Sequence, residues 1–112
     1  MEEKGLRYND GKPCMSLLPP LALEEVAKVL TYGKQKYAAW NWLKGLDHMS
    51  IVDSMERHLS AWKKGEDIDS ESGLLHASHM ATNALMLIEM ILLRPDLNDR
   101  PTEFYKQLNL KQ

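Results

Sequence analysis

The chain predicts an all-α fold: a small bundle of three main helices, with a short C-terminal helix and an irregular or hairpin N-terminal arm. Three observations carry this reading. Apolar residues recur at helical spacing in three segments. Prolines and glycines cluster between those segments. Convincing strand alternation is missing beyond the arm. With 112 residues, 44% of them apolar, the chain makes one domain with a real core. It divides into an arm (1–19), a helical core (20–93) and a tail (94–112).

The arm lacks helical periodicity. Asn9-Asp10-Gly11 is a turn signal, and Pro13 blocks a helix. Pro19-Pro20 then opens helix one, over roughly 20–38, with Glu24-Glu25 near its positive end. Leu23, Val26, Val29, Leu30, Gly33 and Tyr37 form its apolar face. Gly45 and Asp47 break the chain. Helix two spans about Ser50 to Lys64, with Ser50 as N-cap and Asp53 three residues on, a variant of the capping box. Its expected core stripe is Ile51, Met55, Leu59 and Trp62. The loop from Gly65 to Gly73 follows, and Asp69 or Ser72 can cap helix three. Helix three ends near Leu93, at Arg94-Pro95. Asp99-Arg100-Pro101 can start the terminal helix, which carries Phe104, Tyr105 and Leu108. Helix three is apolar almost all round, so two other main helices are few to cover it. A homo-oligomer with helix three near the seam would cover it.

The totals exclude several classes. A net charge of −2 and a pI near 6.1 argue against binding a nucleic acid polymer or an anionic membrane surface. Glu89 interrupts the longest apolar run, which argues against a membrane span. The first residues lack the apolar stretch of a signal peptide. Cys14 stands alone, so no internal disulfide is possible. Together these point to the cytoplasm, that of the host cell if the protein is phage-encoded. Charge is uneven: residues 1–46 carry seven Lys/Arg against five acids, and residues 47–75 three against seven. That split suits an anion bridged by a cation, and equally a soluble surface.

His76, His79 and Asn83 fall within roughly a 60° arc of helix three. A polar stripe in so apolar a helix costs free energy unless satisfied. Two imidazoles at i, i+3 can share one metal ion, or hydrogen-bond to core neighbours. The loop acids Glu66, Asp67, Asp69 and Glu71 alternate as hard cations prefer, or form a solvated turn. On helix two, His58 and Glu56 lie about 70° and 90° from the expected stripe and can reach a neighbouring helix. Asp53 points about 150° away, where helix capping is its plainer role. Lys4, Arg7, Lys12, Lys34 and Lys36 can hold phosphates. Tyr32, Tyr37, Trp40 and Trp42 cluster after helix one and suit a nucleobase or a capped core. A Walker-type loop and a Gly-x-Gly-x-x-Gly motif are both missing.

Several segments in order resemble one family. They are Lys4 to Pro13, Ser16 to Pro20, Leu30-Thr31-Tyr32-Gly33 through Trp42, Arg57-His58-Leu59, Gly65 to Gly73, and His76-Ala77-Ser78-His79-Met80-Ala81-Thr82-Asn83-Ala84-Leu85. Over about residues 4–90 the chain resembles the phage-type dATP/dGTP diphosphohydrolase N-terminal family, related to the all-α (MazG-like) nucleoside-triphosphate pyrophosphatases. The resemblance implies hydrolysis of a purine deoxynucleoside triphosphate to monophosphate and pyrophosphate, with a divalent metal. The pyrophosphatase acid pairs would fall at Asp53 and Glu56, then at His76 and His79. The expected metal is Mg²⁺ or Mn²⁺, with Zn²⁺ also open: imidazole is a poorer ligand for Mg²⁺, so either the metal is softer or the loop acids supply oxygen ligands.

The resulting expectation is an enzyme. His76, His79, Glu56, Glu66, Asp67 and Asp69 would hold the metal, and Asp53, Glu56 and His58 would be catalytic. Lys4, Arg7, Lys12, Tyr32, Lys36, Trp40, Trp42 and Asn83 would bind the nucleotide. The alternative is a non-catalytic protein that sequesters a nucleotide or a nucleotide-derived signal.

Overall fold

The computed structural model describes residues 3–108. Four α-helices follow one another: α1 Pro20–Lys36, α2 His48–Lys63, α3 His76–Leu93 and α4 Thr102–Gln107. Short 3₁₀ turns lie at Met15–Leu17, Asn41–Lys44 and Pro95–Leu97. Among the described residues there is no β-strand, only an isolated antiparallel bridge between Ile68 and Leu75. No helix among them is long and apolar enough to cross a membrane. The described part of the arm is exposed; its backbone closes the expected turn, with the Lys12 amide on the Asn9 carbonyl at 3.0 Å, and the 3₁₀ turn at Met15–Leu17.

α2 and α3 form an antiparallel hairpin. Late in α2, His58 meets His76 at the start of α3, and at the other end His48 meets Arg94. α1 packs across α3. Among the described residues, Val26, Val29, Ile51 and Met90 are the buried apolar ones, against five buried polar ones: His48, His76, Ser78, His79 and Thr82. The interior is thus unusually polar, and the imidazoles are its largest polar groups.

Helix ends differ from expectation in two places. α2 begins at His48, so Ser50 lies inside it and is no N-cap; its hydroxyl donates to the Asp47 carbonyl at 2.7 Å. The cap comes from the tail: Asp99 Oδ1 accepts the Met49 amide at 2.8 Å. That bond satisfies one of the amides a helix start leaves free. α3 begins after Leu75, which supplies no side-chain cap, and Asp69 and Ser72 bond to one another instead. Arg94 ends α3 as expected. Gly45, at φ 99°, lets Arg94 and Leu97 close over the chain; a Cβ there would come within 2.7 Å of the guanidinium.

The inward face of α2 is rotated from its apolar stripe. Ile51, Ser54 and His58 share the side turned to α3 or the cavity, while Leu59 and Trp62 are 38% and 52% exposed. The rotation is about 50° on a helical wheel. α3 likewise turns Leu85, Ile88 and Leu92 outward at helical spacing. Total accessible surface is 9493 Å², against about 6300 Å² for a compact monomer of this mass.

Candidate active site

The α2–α3 loop is shaped to hold one carboxylate. Gly65, at φ 98°, ends α2: its amide bonds the Trp62 carbonyl at 2.9 Å, and Glu66 reaches back to Ala61 at 3.1 Å. This is a Schellman closure, which needs a left-handed residue at that step. The loop then returns on itself. Asp69 N–H donates to the Leu74 carbonyl at 2.8 Å, and His76 N–H to the Asp67 carbonyl at 2.9 Å. Asp69 Oδ2 accepts the Ser72 amide at 2.9 Å and the Ser72 hydroxyl at 2.6 Å. The carboxylate is thereby fixed beside the start of α3.

Three imidazoles meet it. His58 Nδ1 and His76 Nδ1 are 2.9 Å apart. The His58 ring stacks on His79 with centroids 4.3 Å apart and planes 6° from parallel. His79 Nε2 lies 2.7 Å from Ser72 Oγ and 3.6 Å from Asp69 Oδ2. Ser72 has one hydroxyl hydrogen, and the charged carboxylate at 2.6 Å takes it. His79 Nε2–H therefore donates to Ser72 Oγ, which fixes its tautomer.

Burial is the main cause that holds the His58 and His79 pKa values below the ordinary imidazole value. For His58 the neighbouring His79 adds to the effect; for His79 the Asp69 charge opposes it. Burial resists ionisation of Asp69, but the Ser72 hydrogen bonds and the adjacent imidazoles outweigh it, so its carboxyl lies below the usual range. These shifts favour an ionised Asp69 beside uncharged His58 and His79 rings, and uncharged imidazoles are what a metal ion requires.

His76 makes the strongest case for a ligand. Its Nε2 is buried without a hydrogen-bond partner among the described residues. Glu66 Oε2, 3.6 Å away, is too far to bond it. Ligand atoms of His58, Asp69 and His76 all lie within 4.8 Å of one another. Two nitrogens on one tetrahedral ion sit about 3.3 Å apart, close to the 2.9 Å between the two Nδ1 atoms. Two imidazoles and a carboxylate fit a transition metal better than Mg²⁺.

A cavity of about 470 Å³ opens on this cluster, lined also by Tyr32, Lys36, Arg57 and Asn83. Asn83 donates its amide hydrogens to Ser54 Oγ at 3.2 Å and the His79 carbonyl at 2.9 Å. A second cavity of about 400 Å³ adjoins it, lined by Trp40, Trp42, Leu46 and Met86. The two share Val29, Gly33, Tyr37 and Thr82 as walls. Trp40 sits at φ 65°, a left-handed conformation that costs a bulky residue energy and is found mostly at functional sites.

Of the residues singled out in the sequence, His58, Asp69, His76, His79, Asn83, Tyr32 and Lys36 come together at the first cavity, and Trp40 and Trp42 line the second. Asp53 and Glu56 are exposed and line neither, because the rotation of α2 puts them on the far side of the helix. Glu66 stands at the rim and Asp67 contributes its backbone carbonyl. Lys4, Arg7 and Lys12 lie on the exposed arm, outside both cavities. Ser54, Arg57 and Ser72 were not legible as site residues. Ser54 lies one turn from His58, and that spacing was the available signal.

A family model described as "dATP/dGTP diphosphohydrolase, N-terminal" matches residues 2–100. A curated dATP/dGTP diphosphohydrolase of Salmonella phage PMBT28 is 38% identical over 96 residues, covering 86% of this chain and 33% of the phage protein. The chain thus spans about a third of the length of that relative. No solved structure matches. On the family match across nearly the whole chain, it belongs to the dATP/dGTP diphosphohydrolase N-terminal family.

Proposed function

We propose that this domain hydrolyses a purine (deoxy)nucleoside triphosphate to the monophosphate and pyrophosphate, with a divalent metal held by His58, Asp69 and His76. The observation that carries it is the convergence of ligand atoms of His58, Asp69 and His76 within 4.8 Å of one another, on a cavity that adjoins an aromatic one. The name of the phage relative, a dATP/dGTP diphosphohydrolase, supports the same substrate class. When bound, such an ion supplies positive charge to phosphate oxygens and acidifies water.

The chain's own residues do the rest. Lys36 and Arg57 bring charge to the phosphates. Trp40 and Trp42 offer ring faces to the base. His79 keeps its proton on Nε2, toward Ser72, and leaves Nδ1 free to accept one from the attacking water. Asp53 and Glu56 receive no catalytic role. The test is pyrophosphate release from dATP and dGTP with Mn²⁺ or Mg²⁺. Complete inactivity with both metals would sink the reading.

One observation favours a second reading. The convergent group offers one carboxylate, not the acid quartet of the pyrophosphatases. A binder that sequesters the nucleotide would retain dATP or dGTP unchanged, with little dependence on metal.

We also infer that a second copy covers the outward apolar residues of α2 and α3. Leu59, Trp62, Leu85, Ile88 and Leu92 stand exposed on these two helices, and a stable dimer buries a total of about 1600 Å². Sedimentation at micromolar concentration should give a dimer, and a monomer would overturn this.

A further inference from the structure

Tyr32 and Lys36 stand one turn apart on α1 and converge on a single atom. The Tyr32 hydroxyl donates to Glu71 Oε1 at 3.1 Å, and Lys36 Nζ donates to the same oxygen at 2.9 Å. All three residues line the cavity that holds the imidazole cluster. Two donors on one anionic oxygen is the arrangement a phosphate oxygen accepts. We propose that Tyr32 and Lys36 form a phosphate subsite, and that the Glu71 carboxylate fills it in the free chain as an internal stand-in for the ligand. The proposal rests on the reading of this cavity as a polyphosphate site.

The electrostatics support an exchange. Lys36 and Arg57 face the cavity against Asp69 and Glu71, so their formal charges cancel while Glu71 is in place. With Glu71 withdrawn, the cavity gains a net positive charge that favours a polyanion. Withdrawal is easy. The Glu71 side chain is 64% exposed, and exposed ion pairs hold weakly. The loop backbone need not move, because Asp69 and Ser72 fix it independently.

The stand-in predicts an unusual sign: removing a residue from the cavity should improve binding. Inorganic pyrophosphate titrated calorimetrically into the metal-free chain should bind Glu71→Gln about fivefold tighter than the unaltered protein, the most an exposed ion pair withholds. Glu71→Asp, with a shorter reach, should move the same way. The gain should vanish in the Lys36→Met background. Unchanged or weaker binding by Glu71→Gln, no binding by any form, or a gain that survives Lys36→Met would overturn the subsite. Turnover is read separately. If Glu71→Gln binds pyrophosphate more tightly but neither dATP nor dGTP is cleaved, the subsite stands and the hydrolysis reading falls.

Discussion

The α2–α3 hairpin carries a buried histidine at each end, and the two ends have opposite characters. His48 is 4% exposed, and its Nε2 lies 3.0 Å from the Arg94 carbonyl. That carbonyl ends α3 and lacks an intrahelical partner. His76 is 5% exposed, yet its Nε2 bonds to nothing described. Equal burial with unequal satisfaction separates a structural histidine from one placed for a ligand. A buried unpaired nitrogen costs about 1–3 kcal/mol, and at the His76 end the rim carboxylate of Glu66, 3.6 Å away, leaves it unbonded. At the His48 end the bond closes locally, and Asp99 and Arg94 complete the lock.

The sharpest break of this comparison is His76→Ala. It removes one of three convergent ligands. Mn²⁺ affinity should fall by about 100-fold or more, since even supporting residues cost 10–100-fold. Hydrolysis should fall with it. Stability without metal should change little for a buried residue, because the substitution also removes an unpaired nitrogen. Calorimetric titration with Mn²⁺ beside thermal unfolding reads both. Intact Mn²⁺ binding would return His76 to the class of His48.

His48→Ala should do the reverse. It deletes a satisfied buried bond and strands the Arg94 carbonyl, for a loss of about 2 kcal/mol. Metal affinity should stay within about twofold of the parent, as distant sites are nearly additive. Unfolding in urea checks the first statement and Mn²⁺ titration the second.

Acid should strike the cluster end. His58 and His79 have folded pKa values below the ordinary 6.5, chiefly because they are buried. The unfolded chain then binds more protons than the folded one between the two values. Stability is therefore full above pH 6.5 and is lost as pH falls below it toward the folded values. Mn²⁺ binds only the uncharged imidazoles and should shift this loss to lower pH. Melting temperatures from pH 7 to 5, with and without Mn²⁺, test it. A melting temperature that is flat across that range would contradict the burial of the two rings.

The same contrast marks what the sequence could reveal. The helices, the Arg94 stop and the His76, His79, Asn83 stripe follow from periodicity and punctuation, which are local. Asp69 was visible as one of four loop acids; its selection depends on Ser72, Leu74 and the Gly65 turn acting together. The cap of α2 was out of reach because Asp99 lies fifty residues from Met49. The phase of α2 was misplaced for a physical reason. Of the apolar stripe, Ile51 is buried and Met55 half-buried, but Leu59 and Trp62 are exposed while Ser54 and His58 are half-buried in their stead. A stripe left partly outside can serve a second copy, and periodicity alone does not tell which partner a stripe serves.

The smallest expected effect tests that phase most directly. The pyrophosphatase spacing makes Asp53 and Glu56 the natural acid pair, and they would face the site only if α2 turned the side opposite His58 inward. On the observed phase both are exposed and line neither cavity. The doubly substituted chain, with Asp53→Ala and Glu56→Ala, should keep its stability within about 0.5 kcal/mol. Its Mn²⁺ affinity and its rate of pyrophosphate release should stay within about twofold, because changes far from a site nearly add. A rate loss of two orders of magnitude with unchanged Mn²⁺ binding would mean that these acids reach the substrate from a neighbouring copy. A parallel loss of metal affinity would move the metal from the His58 face of α2 to its opposite side. Rotating one helix by half a turn exchanges the two outcomes, so this pair measures the orientation on which the whole assignment of the site depends.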